Sequence, residues 1–161
     1  MSELAAGTKA PAFSLPGLGG GNVGVPTGAS LTCVVVFKSS CPTCRWALPY
    51  FQALHAGTKN GPLAVIGIAE DEPAEARALA EDLALDFPIA LEGEPWATSE
   101  AYECITVPTM FLLDGDDRVI LTSPGFARDD MIEVARRTAE IAGGDPFDPF
   151  GGKDMPPFRP G

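Results

Sequence analysis

Two cysteines, Cys41 and Cys44, are separated only by Pro42 and Thr43 and follow the apolar run Leu31–Phe37. Two thiols at this spacing can cycle between dithiol and disulfide, or they can supply half of a zinc site. Only a thiolate attacks a disulfide, so a redox role requires surroundings that favour a negative sulfur on an accessible cysteine. The CPTC segment therefore predicts either thiol-disulfide chemistry or metal binding.

The flanking sequence predicts that the cysteine pair lies between a buried strand and a helix. Leu31–Phe37 is β-branched and apolar on both faces, which is typical of a central strand. Apolar residues at helical spacing then continue to Gly57, with Pro49 inside the helix as an expected kink. At the start of a helix, free backbone amides and the helix dipole favour a negative sulfur on Cys41. Cys44 follows one turn later on the same side, so it can resolve the mixed disulfide.

Strands and helices alternate along the rest of the chain, which predicts an α/β fold with a central sheet flanked by helices. The last helix is expected to bury Met131, Val134, Thr138 and Ile141. The other predicted elements are a hairpin of 12–15 and 22–26, a strand at 63–71 and a helix at 72–86, a strand at 87–93, a helix starting at Pro95, and strands at 107–114 and 118–123.

A second segment, Val107-Pro108-Thr109, supports redox chemistry. A proline at the entrance of a strand can be cis and has no amide to donate to a thiolate. It also leaves the backbone of Val107 free to pair with an extended substrate as an added strand.

These residues resemble the active-site set of the thioredoxin fold: CPTC after a buried strand, Pro49 five residues beyond Cys44, the VPT segment, and Gly125 after the last hairpin. Segments 10–20, 65–93 and 111–120 further resemble the alkyl hydroperoxide reductase and thiol-specific antioxidant family. The resemblance covers residues 7–142. It implies a thioredoxin-like fold with a central mixed sheet, Cys41 as nucleophile, Cys44 as resolving thiol, and Pro108 as the cis-proline of a substrate groove.

Several positions depart from these families. Val35 occupies the place of the buried acid that serves as proton acceptor in thioredoxins, and Ser40 the place of their tryptophan. Lys38 stands where peroxiredoxins carry Thr or Ser; its charge can favour a thiolate on Cys41, or it can be a solvated surface lysine. Arg128 would have to serve as the peroxidatic arginine. Thiol peroxidase activity, in which Cys41 forms a sulfenic acid, is therefore the alternative to disulfide exchange.

Other side chains are weaker candidates. Cys104 can be a third, auxiliary thiol or a core residue, and Cys33 is expected in the core. A zinc site would need Cys104 and His55 as further ligands. Trp46 and Trp96 can line the groove or fill the core. The predicted substrate-binding residues are Pro42, Thr43, Val107, Pro108 and Phe126.

Composition narrows the function further. The 161 residues carry 22 acidic and 11 basic side chains, a net charge of -11 that repels nucleic acid. Without a signal-like segment or an apolar run of about 18 residues, we expect a cytoplasmic protein that does not contact membranes.

The sequence thus predicts a thiol-disulfide oxidoreductase that reduces protein disulfides or small thiol substrates. It would draw electrons from an upstream thiol reductant and need no cofactor or metal. The alternatives are a thiol peroxidase, a metal-handling protein and a redox-inactive binding module.

Residues 143–161 are rich in Gly, Pro, Asp and Phe, and the sequence predicts a flexible tail after a domain formed by 1–142. The tail can be disordered, can serve as a docking peptide, or can lie across the groove of its own or a neighbouring molecule.

Overall fold

The computed structural model describes residues 3–161. Within them, no helix combines the length and the apolar character needed to cross a bilayer. The strands are β1 (Phe13–Pro16), β2 (Asn22–Val25), β3 (Leu31–Phe37), β4 (Leu63–Ala69), β5 (Ile89–Leu91), β6 (Thr109–Leu113), β7 (Val119–Pro124), β8 (Phe126–Ala127) and β9 (Phe158–Arg159), and the helices are α1 (Pro42–Gly57), α2 (Pro73–Leu83), α3 (Ala97–Ala101) and α4 (Arg128–Ala142).

A five-stranded mixed sheet in the order β5-β4-β3-β6-β7 forms the centre of the fold. β3 pairs in parallel with β4 and antiparallel with β6, and β6 continues antiparallel into β7. The bounds of β3 agree with the prediction from its β-branched run. The fold is therefore α/β with a central mixed sheet flanked by helices, as predicted.

Both faces of β3 are covered, which explains why its sequence shows no polar alternation. Cys33 and Val35 lie in a core cluster with buried residues of α1, α2 and α4. Val34 and Val36 lie in the opposite cluster, with Val25 of the β1–β2 hairpin and with residues that follow α3. The C-terminal end of β3, which leads to Cys41, is thus held from both sides.

In α4, one predicted core position is wrong. Met131, Val134 and Thr138 are buried, whereas Ile141 is 51% exposed. Ala135 and Ala139 complete the buried face instead. Small alanines carry little hydrophobic signal in a sequence, so a helix face that buries them is easily misplaced.

The tail differs from the flexible segment that the sequence suggests. Phe150 and Met155 are only 8% and 5% exposed and belong to the main core. Beyond them, β9 pairs antiparallel with β8, Phe158 opposite Ala127 and Arg159 opposite Phe126. Of the alternatives drawn from the sequence, the structure has the tail lying across its own molecule.

Candidate active site

Cys41 is the N-cap residue of α1, directly after the loop that leaves β3. Its backbone is extended (φ -89°, ψ 116°), and its sulfur accepts a hydrogen bond from the Cys44 amide at 3.1 Å. Such an amide would otherwise lack a partner in the first turn of the helix. Cys41 is half-buried, so its sulfur has a backbone donor and remains accessible.

Cys44 lies one turn later and is fully buried. Burial, followed by its hydrogen bond with the Cys41 side chain, raises the pKa of the Cys44 thiol far above its usual range. Val35, which occupies the position of the buried acid of thioredoxins, lies in the same core cluster as Cys44. An apolar side chain therefore stands where thioredoxins carry a proton acceptor. The two thiols therefore have different environments, one accessible and one protected.

Val107 and Pro108 lie beside the nucleophile at the start of β6. The peptide bond between them is cis, and Pro108 is buried. The Cys41 thiol donates to the carbonyl oxygen of Val107 at 3.4 Å. The structure thus brings the CPTC and VPT segments together, as the sequence predicts.

A buried carboxylate supports the loop that precedes Cys41. Asp71, 8% exposed, accepts hydrogen bonds from the Ser39 amide at 2.9 Å and from the Ser39 hydroxyl at 2.7 Å. Sequence reasoning missed this residue because it places Asp71 only at the end of the strand predicted at 63–71. Its position two residues beyond β4, next to the carboxyl end of β3, is the signal that could have found it.

Lys38 and Cys104, the two auxiliary candidates, line a cavity of about 410 Å³. Val107 and Trp96 line the same cavity. The Lys38 amino group lies 4.2 Å from the centre of the Trp96 ring, while its carbonyl accepts from the Cys41 amide at 3.2 Å. The Cys104 thiol donates to the Thr106 carbonyl at 3.2 Å, and burial raises its pKa to about 11. Their auxiliary roles stay predictions.

The structure does not support the predicted contact between the Phe126 side chain and a substrate. Its side chain is 2% exposed and packs edge-to-face on Trp46 with ring centres 4.7 Å apart. Tyr50 and Phe150 complete the same aromatic cluster, at 6.4 Å and 6.0 Å from Phe126. A buried ring cannot contact a substrate directly, so what Phe126 offers to the groove is its backbone in β8.

The end of the tail covers the groove formed by these elements. The Thr43 hydroxyl donates to the Pro160 carbonyl at 2.7 Å, and the Arg159 guanidinium lies 4.9 Å from the centre of the Trp46 ring. Pro42, between the cysteines, remains exposed. Arg128, the candidate peroxidatic arginine, donates to the Met155 carbonyl at 3.1 Å and therefore holds the tail.

His55, one of the candidate zinc ligands, lies far from the cysteine pair. His55 lies 14 positions after Cys41 along α1, a rise of about 21 Å at 1.5 Å per residue. It faces Asp86 instead, at 3.4 Å. Within residues 3–161, no group of three or more His, Cys, Asp or Glu side chains is placed to hold a metal ion. Cys33 is fully buried in the core, as predicted.

Several known proteins are similar to this chain in sequence or in fold. The model of the AhpC/TSA family matches residues 6–121. Sporulation thiol-disulfide oxidoreductase A of Bacillus subtilis is 27% identical over 117 residues, which are 70% of each chain. A Chlorobium tepidum protein provisionally named thiol:disulfide interchange protein DsbE superposes with a TM-score of 0.76 at 26% identity, over 86% of this chain and 98% of its own. A provisionally assigned protein disulfide isomerase of Bacteroides thetaiotaomicron reaches 0.78 at 17% identity, over 88% and 94%, and shows the shared fold.

Proposed function

Because this chain belongs to the AhpC/TSA family and relatives of similar length are thiol-disulfide oxidoreductases, we propose that it is a thiol-disulfide oxidoreductase that uses the Cys41/Cys44 pair. The observation that carries the proposal is the asymmetry of the two thiols. Cys41 is accessible and receives a backbone amide at a helix N-terminus, whereas Cys44 is buried one turn away with a raised pKa. This is the division of labour that a nucleophile and a resolving thiol require.

In the proposed reaction the Cys41 thiolate attacks one sulfur of a substrate disulfide and forms a mixed disulfide, and the first substrate thiolate leaves. Cys44 then gives its proton to the departing first substrate thiolate and attacks the Cys41 sulfur, which releases the second substrate thiolate and leaves the Cys41–Cys44 disulfide. The substrate has gained two electrons. An upstream thiol reductant returns them to the enzyme by the same exchange chemistry.

We further propose that the pair works in the reducing direction on protein disulfides, with Val107 and Pro108 holding the substrate backbone. Thr43, at the floor of the groove, and Pro42, at its exposed edge, complete the contact surface. A cytoplasmic location, where thiols are kept reduced, stays part of this proposal.

Thiol peroxidase activity is the second candidate, because the AhpC/TSA family is named after peroxide-reducing enzymes. The site supports it less well: Arg128 is engaged by the Met155 carbonyl, and Lys38 lies over Trp96. Neither side chain contacts the Cys41 sulfur in the way that positioning a peroxide on it would require. Consumption of hydrogen peroxide in the presence of a thiol reductant tests this candidate directly.

An equilibrium redox titration against glutathione tests the main proposal, in a variant with Cys33 and Cys104 replaced by serine. We expect an intramolecular disulfide whose potential lies near that of thioredoxin, about -270 mV. A potential near about -120 mV would reverse the direction of electron flow. The matched control, Cys44→Ser, should stop at a glutathione mixed disulfide on Cys41. Absence of any Cys41–Cys44 disulfide would contradict the oxidoreductase function itself.

A further inference from the structure

Residues 156–161, here called the terminal segment, run along the groove beside Cys41, and Phe158–Arg159 within them form the strand β9. β9 adds to β8, the Arg128 amide donates to the Pro157 carbonyl at 3.1 Å, and Thr43 donates to the Pro160 carbonyl at 2.7 Å. All three contacts are made to the main chain of the segment, as when an extended peptide is recognised as an added strand.

Two glycines allow the terminal segment and the groove to approach closely. Gly125 has φ +69°, and a β-carbon there would lie 2.8 Å from the Arg159 carbonyl oxygen. A β-carbon on Gly161 would collide with the Val107 carbonyl and the Thr106 hydroxyl. Gly161 therefore lies against the same Val107 carbonyl that accepts the hydrogen bond from Cys41.

We propose that the terminal segment is an internal ligand of the substrate groove, and that the partner this groove fits is an extended protein segment that displaces it. This inference rests on the proposed function. The contacts of the terminal segment define the partner: a basic side chain stacked on Trp46, as Arg159 is, and a small residue against Val107. A protein disulfide flanked by such a segment is the substrate class that the groove accepts.

The terminal segment is held by few contacts, which makes displacement feasible. Phe158 is 55% exposed, and the strand pairing spans two residues on each side. Phe150 and Met155, here called the anchor, precede the terminal segment and are held more firmly, because both side chains are buried in the core. The anchor keeps the terminal segment at a high effective concentration next to the groove while its own contacts stay weak. The segment thus competes with protein substrates without blocking them permanently.

Gly161→Val tests the competition with a single side chain. The added branch must push the end of the segment away from Val107, whereas Gly144→Val, the matched control on the same tail, places its β-carbon in open space. Deletion of residues 156–161 is the second variant. The readouts are kcat/KM for insulin, a protein disulfide, and for the small disulfide 5,5′-dithiobis(2-nitrobenzoate), which we expect to reach the half-buried Cys41 with the segment in place.

We expect Gly161→Val and the deletion to raise kcat/KM for insulin by about tenfold, which corresponds to a groove that is closed in about nine molecules of ten. The small disulfide should react within about twofold of the unchanged protein, and Gly144→Val should change neither rate. An insulin rate that is unchanged or lower in both variants, with the small-disulfide rate retained, would overturn the proposal. Loss of both reactions in every protein, including the unchanged one, would instead refute the oxidoreductase function.

A binding experiment separates the internal ligand from redox chemistry. A synthetic peptide of residues 156–161 is added to the deletion variant carrying Trp96→Phe, so that Trp46 is the only one of the chain's 2 tryptophans left to report by fluorescence. We expect saturable binding that weakens by about threefold when Arg159 of the peptide is alanine, the loss of an exposed cation–π contact. No binding at millimolar peptide would overturn the proposal, whatever the enzyme does with disulfides.

Discussion

Replacing Phe150 with alanine is expected to lower the free energy of unfolding by about 3 kcal/mol, although the residue belongs to a tail rich in Pro and Gly. Phe150 is 8% exposed, and its ring packs edge-to-face on Tyr50 and Phe126 with centres 5.4 Å and 6.0 Å apart. Burying a phenylalanine side chain contributes ~1.5–3 kcal/mol, and each aromatic pair adds ~0.5–1.5 kcal/mol. Part of the sum is lost because the tail can undock before the sheet unfolds, which is why we expect about 3 kcal/mol.

Urea unfolding followed by circular dichroism measures the difference. The matched control is Phe158→Ala on the same tail: Phe158 is 55% exposed, so its replacement should cost less than about 0.5 kcal/mol. If the two variants lost the same free energy within about 0.5 kcal/mol, Phe150 would not be a core residue. The tail would then be the flexible segment that its composition suggests.

Two further predictions concern the buried groups Cys33 and Asp71. Burial raises the pKa of the Cys33 thiol from 9.0 to about 12, so above pH 9 the unfolded chain holds fewer protons than the folded one and the free energy of unfolding falls as pH rises. Cys33→Ala should make that slope shallower by about 1.4 kcal/mol per pH unit between pH 9 and 11 in urea titrations, and an unchanged slope would show that the thiol is not protected. Asp71→Asn should lower the free energy of unfolding by about 1–2 kcal/mol, because an NH2 donor replaces one of the two carboxylate oxygens that each accept a hydrogen bond from Ser39. In a double-mutant cycle with Ser39→Ala the two losses should not add, and strict additivity would refute this coupling.

The sheet and the cysteine pair could be predicted because their signals are local. The β-branched run Leu31–Phe37 requires a strand covered on both sides, and CPTC at its end requires a helix start. The contact of the VPT segment with Cys41 is long-range, and it is predicted by the proline's place at a strand entrance together with the resemblance to a known active-site set. Local patterns therefore predict the strands and helices, while the resemblance predicts how the CPTC and VPT segments are arranged.

The tail and Asp71 could not be predicted in this way. Phe150 and Met155 follow no helical or strand period, and two glycines, a lysine and an aspartate separate them, so nothing in the local sequence marks them as buried. The burial of Phe150 depends on an aromatic cluster built by α1 and β8, which exists only in the folded molecule. Likewise, Asp71 finds Ser39 across a gap of 32 residues because β3 and β4 are adjacent and parallel.

The aromatic cluster also explains how one tail can be both part of the core and a competitor for the groove. Phe150 contacts the ring of Phe126, while the backbone of Phe126 pairs with β9. The anchor and the competing strand therefore meet the same residue through different groups, an apolar side chain in one case and main-chain hydrogen bonds in the other. Water can replace the main-chain bonds at little net cost, but it cannot replace the apolar contact. Release of the terminal segment should thus leave the core, the helix that carries Cys41, and the nucleophile's position intact, whereas removal of the whole tail would disturb all three.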